Sequence, residues 1–214
     1  DLIGPILAVW IKRLRREEDR IAMNLHRRRI CGVIILGVVP LLVVTLIFKR
    51  VPSDYGVAPV RSLPVLFVTL GICGVLYPIL RSHARRRAAA AERTSVSGNV
   101  RLILNGVSWA VYLVAYEFFI RGVLLFTYAR LMGGWPAIAA VTALYTVVHL
   151  TRDRGEAFGS LLMGVVFGLL TLYSGSIAPA LAIHIYTALL TECTMALECR
   201  RADREMRVEP LARR

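Results

Sequence analysis

Residues 157–191 read AFGSLLMGVVFGLLTLYSGSIAPALAIHIYTALLT, 35 positions without a formal charge when His184 is counted neutral. A helix crosses the hydrocarbon layer with about 20 apolar residues. This stretch therefore holds two passes, with a turn at Tyr173-Ser174-Gly175-Ser176. Working outward, uncharged runs recur at 31–48, 62–80, 102–116 and 131–149. The chain has 214 residues, 57% hydrophobic and 19% charged, so a soluble domain of this size has no interior able to hide those runs. The sequence predicts an all-α fold: a polytopic transmembrane helical bundle of about six spans, near 31–48, 62–80, 103–127, 135–150, 157–173 and 177–195.

The formal net charge is +13, from 27 Lys and Arg against 14 Asp and Glu. Eight of the basic residues lie in 11–29, six in 81–101 and six in 200–214. They flank apolar runs, so orientation bias accounts for them better than a nucleic-acid partner. With both ends inside, 22 fall on the cytoplasmic side and four outside. The expectation is a multi-pass protein of the cytoplasmic (inner) membrane with both termini cytoplasmic. The basic segments are also placed to meet anionic lipid.

The organisation divides into residues 1–81, two spans behind a basic amphipathic start; 82–102, a polar cytoplasmic linker; 103–196, a four-helix membrane core; and 197–214, a cytoplasmic tail. Residue 1 is Asp, not an initiator Met, which leaves room for an upstream segment. Cys31, Cys73, Cys193 and Cys199 follow no disulfide or metal-ligand spacing. No internal repeat suggests an inverted-repeat transporter. Gly164-x-x-x-Gly168 marks a face for close helix packing, within this chain or against a membrane partner.

The core spans contain Glu117, Arg121, His149 and His184, with Glu156 at their cytoplasmic boundary. An ionisable side chain inside a membrane is costly and points to function by default. Structural roles compete with that reading. Glu117 and Arg121 are four apart on one helical face, the order that favours an ion pair. Glu156 suits a helix start, where an acid meets the positive end of the dipole. At roughly 1.5 Å per residue, Glu117 lies about 21 Å, His149 about 27 Å and His184 about 14 Å from their outer turns. These depths are compatible with one pocket. In it Glu117 or His149 takes a proton from water while the other orients it, and His184 stabilises an oxyanion. HExxH and GxSxG are absent, which disfavours zinc-protease and serine-hydrolase readings.

Three local motifs carry a resemblance. Tyr116-Glu117-Phe118-Phe119-Ile120-Arg121-Gly122 resembles EExxxR followed by Gly. Tyr145-Thr146-Val147-Val148-His149 resembles FxxxH. Gly175-Ser176-Ile177 followed by His184 resembles a late-span histidine reached through a tight turn. Together, over roughly 103–190, the sequence is similar to the membrane-embedded glutamic endopeptidases that include type II CAAX prenyl proteases and bacteriocin-processing or immunity proteins.

The resemblance implies metal-independent peptide-bond hydrolysis by a Glu/His-activated water, with no cofactor. The implied substrate is a membrane protein, a lipidated C-terminus or a hydrophobic peptide. His149 corresponds to the activating histidine, His184 to an oxyanion donor, and Glu117 and Arg121 to the second Glu and the Arg. Two positions depart from the pattern: Tyr116 replaces the first Glu, and Ala188 replaces an oxyanion Asn. A phenol, with a pKa of about 10, is a poor general base. In one subgroup a later Glu follows the histidine, so Glu117 or Glu156 stands in for the missing carboxylate. The alternative is a degenerate member acting as a membrane binding, immunity or assembly subunit.

Overall fold

The computed structural model describes residue 20 and residues 23–90, 99–150 and 154–212. Among these the fold is all helical. The elements are α1 (Met23–Ile47), α2 (Leu63–Ala90), α3 (Asn99–Glu117), α4 (Leu125–Met132), α5 (Gly134–Leu150), α6 (Arg154–Ser174) and α7 (Ala178–Ala212). A π-helical segment, Phe118–Leu124, joins α3 to α4 in one continuous rod. Two shorter π-helical turns, Ile34–Val38 and Val43–Ile47, lie within α1.

Among the described residues, five helical stretches are long and apolar enough to cross a membrane. The expected fourth span, α5, has 17 residues and a length of about 26 Å, slightly under a hydrocarbon layer of about 30 Å. Lipid-facing surface is plain on the flanks. Leu46, Ile47, Phe67, Leu70 and Leu162 are each more than 60% exposed, an arrangement that water penalises and a bilayer does not. These features make a polytopic membrane bundle.

Three helices outrun the sequence expectation. α1 begins at Met23 rather than near 31, which places Arg29 on it. α2 continues through the stretch read as linker to Ala90, and α7 through the stretch read as tail to Ala212. Ala and Arg dominate the first extension, and Arg, Glu, Ala and Leu the second; all are strong helix formers. The two extensions meet where Arg85 Nε pairs with Glu198 Oε1 at 2.9 Å. Pro78 sits inside α2 without ending it, as neighbouring contacts allow in membrane helices.

The core is made of aromatic and branched side chains between helices. Tyr116, Ile120, Leu125, Ile138, Val141 and Tyr145 form one cluster across α3, α4 and α5. Val65, Phe167, Leu170, Ala180 and Ile183 form a second across α2, α6 and α7. Between α5 and α6 the backbones approach closely because Gly164 and Gly168 lack side chains. A Cβ at Gly164 would stand 2.7 Å from Thr142 Cγ2, and one at Gly168 would stand 3.0 Å from Ile138 Cγ1. The Gly-x-x-x-Gly face is thus used within the chain.

At one end of the bundle, the segment after α1 folds onto the turn between α6 and α7. Ile177 N–H donates to Gly56 O at 2.9 Å, and Ser176 Oγ donates to Ala58 O at 2.5 Å. Arg130 donates to the Asp54 carbonyl and lies 5.0 Å over the Tyr55 ring. Gly56 has φ +76 and faces Phe126 and Ile177, so both its backbone and its surroundings require glycine. At the opposite end, Arg29 Nη1 donates to Asn105 O, Asn105 Oδ1 and Ser108 Oγ at 2.9, 2.6 and 2.7 Å. Asn105 Nδ2 donates in turn to Glu192 Oε1 at 2.5 Å, tying α1, α3 and α7 together.

Candidate functional site

Glu117 is the last residue of α3, and Arg121 lies in the π-helical segment that follows. The i→i+5 bonding of such a segment widens the turn and re-aims side chains, and it recurs at functional sites. Both residues are 0% exposed. The segment packs tightly against the Pro52–Tyr55 turn, because Gly122 brings its backbone close. A Cβ there would lie 2.9 Å from Tyr55 O.

Glu117 has two partners. Its Oε1 is 2.6 Å from His184 Nδ1, and its Oε2 is 3.8 Å from Arg121 Nε. A carboxylate only accepts, so the imidazole nitrogen facing it carries the proton. That fixes the tautomer of a neutral His184 with Nε2 as the free acceptor. The His184 side chain is 18% exposed, whereas the carboxylate behind it is sealed.

The Arg121 guanidinium is beyond hydrogen-bond range of Glu117 and is held by faces of rings. Its central carbon lies 4.6 Å from the Tyr145 centroid and 5.5 Å from that of Phe167. A desolvated cation over an aromatic face gains about 2 kcal/mol or more. Arg121 thus supplies the positive charge beside the buried carboxylate while Tyr145 and Phe167 line its cavity.

His149 packs against Tyr145. The two rings are 4.5 Å apart, and His149 Nδ1 donates to Tyr145 O at 2.9 Å. Its Nε2 is likewise the free acceptor when the ring is neutral. Tyr145 also meets His184 edge to face at 6.4 Å, so one ring contacts both histidines. The structure therefore joins Glu117, Arg121 and His184 directly and sets His149 one ring away. Glu156 begins α6, but its side chain lies outside the described residues.

Several contributors are silent in sequence. Tyr145 and Phe167 read as ordinary core residues, yet they surround Arg121 and His184. Tyr116 reads as a lost acid, yet its ring meets His184 edge to face at 6.0 Å. Ala188 is buried on α7, four residues past His184, and brings no donor. Among the described residues, no group of three or more His, Cys, Asp or Glu is arranged to hold a metal ion.

A cavity of about 830 Å³ lies between α1, α3 and α7, and none of Glu117, Arg121, His149 and His184 is in its lining. Val33, Gly37 and Leu41 of α1 line one wall, and Val111, Ala115 and Phe118 line another. Ala178 and Leu181 of α7 complete it, and the lining is almost wholly apolar. Leu181, in that lining, and His184 are three apart on α7.

A buried acid–imidazole pair inside apolar membrane helices defines the class: a membrane protein with glutamic-endopeptidase features. Residues 99–190 match the type II CAAX prenyl endopeptidase Rce1-like family, so a domain of that family covers part of the chain and contains Glu117, Arg121, His149 and His184. No curated protein and no solved structure gives a match.

Proposed function

We propose that this protein hydrolyses peptide bonds of a hydrophobic or lipidated membrane-associated substrate, using water activated by the Glu117–His184 pair. One observation carries the reading: a fully buried carboxylate grips Nδ1 of an imidazole that is itself partly open. Glu117, sealed behind the ring, positions the base; His184 Nε2 meets the water. This is the division of labour of a carboxylate–histidine dyad, in which the acid orients the ring and stabilises the imidazolium that forms. His149 presents a second free Nε2 across Tyr145 and serves to orient the water or substrate. In the neutral ring that atom accepts, so donation to an oxyanion, as the resemblance implies for His184, requires the imidazolium form. Arg121 supplies the counter-charge beside Glu117.

The apolar groove favours a substrate with a hydrophobic or lipid-bearing segment, in keeping with the matched family's name. Both termini lie on the cytoplasmic side in this reading, supported by the distribution of basic residues.

The test uses purified protein in liposomes with an internally quenched hydrophobic peptide bearing an S-prenylated cysteine near its C-terminus, and its unprenylated twin. Cleavage of either that is lost in His184→Ala supports the reading. Cleavage by neither, or cleavage that survives His184→Ala, overturns it. One observation favours a second reading, a binding or immunity subunit without turnover: Tyr116 and Ala188 stand where the resembled motifs carry Glu and Asn. That reading predicts retained peptide binding with no cleavage.

A further inference from the structure

We propose that the Tyr116 hydroxyl is the oxyanion donor of this site, an assignment that rests on the hydrolytic reading above. Tyr116 is 8% exposed, and its hydroxyl has no hydrogen-bond partner among the described residues. Its ring is 6.0 Å from His184 with the planes at 82°, and 6.2 Å from Tyr145. Among the described residues Thr142, Thr146 and Thr171 also carry buried hydroxyls without partners, and the Arg121 guanidinium nitrogens likewise have no hydrogen-bond partner. Arg121, however, faces Glu117 and the Tyr145 and Phe167 rings. Of the hydroxyl residues, Tyr116 is the one with a ring contact to His184. A polar group buried without a partner is costly, and each such case in a folded protein calls for an explanation. Phenylalanine would fill the same space between Tyr112, Tyr145 and His184 without that cost.

The chemistry of the site supplies the explanation. Peptide hydrolysis places negative charge on the carbonyl oxygen, and that charge needs a preorganised donor. Both histidines present acceptors when neutral, as their Nδ1 bonds to Glu117 and Tyr145 O fix. Ala188 donates nothing. A neutral phenol is a good donor at any physiological pH, and a buried one keeps its strength because water does not compete.

In the step proposed, the water oxygen bonds to the carbonyl carbon as His184 Nε2 takes one water proton. The carbonyl π pair moves onto oxygen, which accepts the Tyr116 O–H hydrogen bond. Collapse restores the carbonyl and breaks the C–N bond, and the amine leaves with the proton from His184. Tyr116 keeps its own proton throughout.

Tyr116→Phe isolates the claim, because it removes the hydroxyl and keeps the ring. With the quenched peptides above, kcat falls about 10²–10³-fold, the usual loss for one oxyanion donor, while KM and the thermal midpoint stay near wild type. Wild type also binds a peptidyl phosphonate, a tetrahedral anionic mimic, at least tenfold more tightly than the amide peptide, and Tyr116→Phe loses that preference. A Tyr116→Phe protein with wild-type kcat, or with a change confined to KM, overturns the assignment while leaving the hydrolytic reading intact. Absence of turnover by wild type overturns both.

Discussion

His184 Nδ1 lies 2.6 Å from Glu117 Oε1, although 67 residues separate them in the chain. The contact links the π-helical junction after α3 to the first half of α7. It turns a costly buried carboxylate into an element that holds an imidazole in one tautomer. Around the pair, Arg121 supplies counter-charge and Tyr145, Phe167 and Tyr116 supply walls.

Removing Arg121 leaves that carboxylate buried with no cation. Arg121→Met is expected to destabilise the protein by about 3–5 kcal/mol, read as a lowered thermal midpoint in detergent. Arg121→Met combined with Glu117→Gln should recover most of the loss. If the double variant is as unstable as the sum of the two singles, the residues are not coupled.

On the proposed reading His149 orients the water or substrate, and its side chain is only partly buried. His149→Ala is expected to lower kcat by about 10²–10⁴-fold, the range for a positioned acid or base, with little change in stability. Unchanged turnover of the quenched peptide would remove His149 from the site.

Close packing of α5 on α6 depends on missing side chains. Gly164→Val drives new atoms into Thr142, and overpacking of this kind costs about 1–3 kcal/mol. Gly159→Ala has nothing within 4 Å of the added Cβ and should be neutral or slightly stabilising, since Ala favours helix over Gly. Thermal midpoints of the two variants in the same detergent decide the point.

The Arg29 network fastens α1, most of whose surface faces lipid, to α3 and α7. Arg29→Gln breaks bonds to Asn105 and Ser108 and leaves Glu192 without the nearby cation. Hydrogen bonds to charged groups contribute about 1.5–3 kcal/mol each, so amide exchange in 23–47 should rise before exchange in α5 does. Equal protection in wild type and variant would show that α1 is held by apolar contacts alone.

The membrane bundle is readable in sequence because absence of charge is a local property of each run. Glu117 and Arg121 are readable as a pair for a similar reason, since helical spacing brings i and i+4 together. Other features depend on partners distant in the chain. That Glu117 reaches His184 rather than His149 follows from how α7 packs beside α3. The π-helical turn that aims Arg121 at Tyr145 has no composition signal. The polar stretches at the ends of α2 and α7 read as linker and tail because their charge is conspicuous, yet Ala and Arg in the first, and Arg, Glu and Ala in the second, continue the helices. Arg29 falls just outside the uncharged run 31–48, so its place on α1 emerges only from the longer helix.

The central claim is that Glu117 and His184 work as one unit, and the most direct measurement is a double-mutant cycle on peptide cleavage. Residues acting as a unit are grossly non-additive. Glu117→Gln is expected to lower kcat by about 10³–10⁴-fold, as loss of an orienting carboxylate does. His184→Ala should lower it by at least as much, and the double variant should be no slower than His184→Ala alone. Losses that multiply, or a Glu117→Gln protein that cleaves at the wild-type rate, would contradict the account.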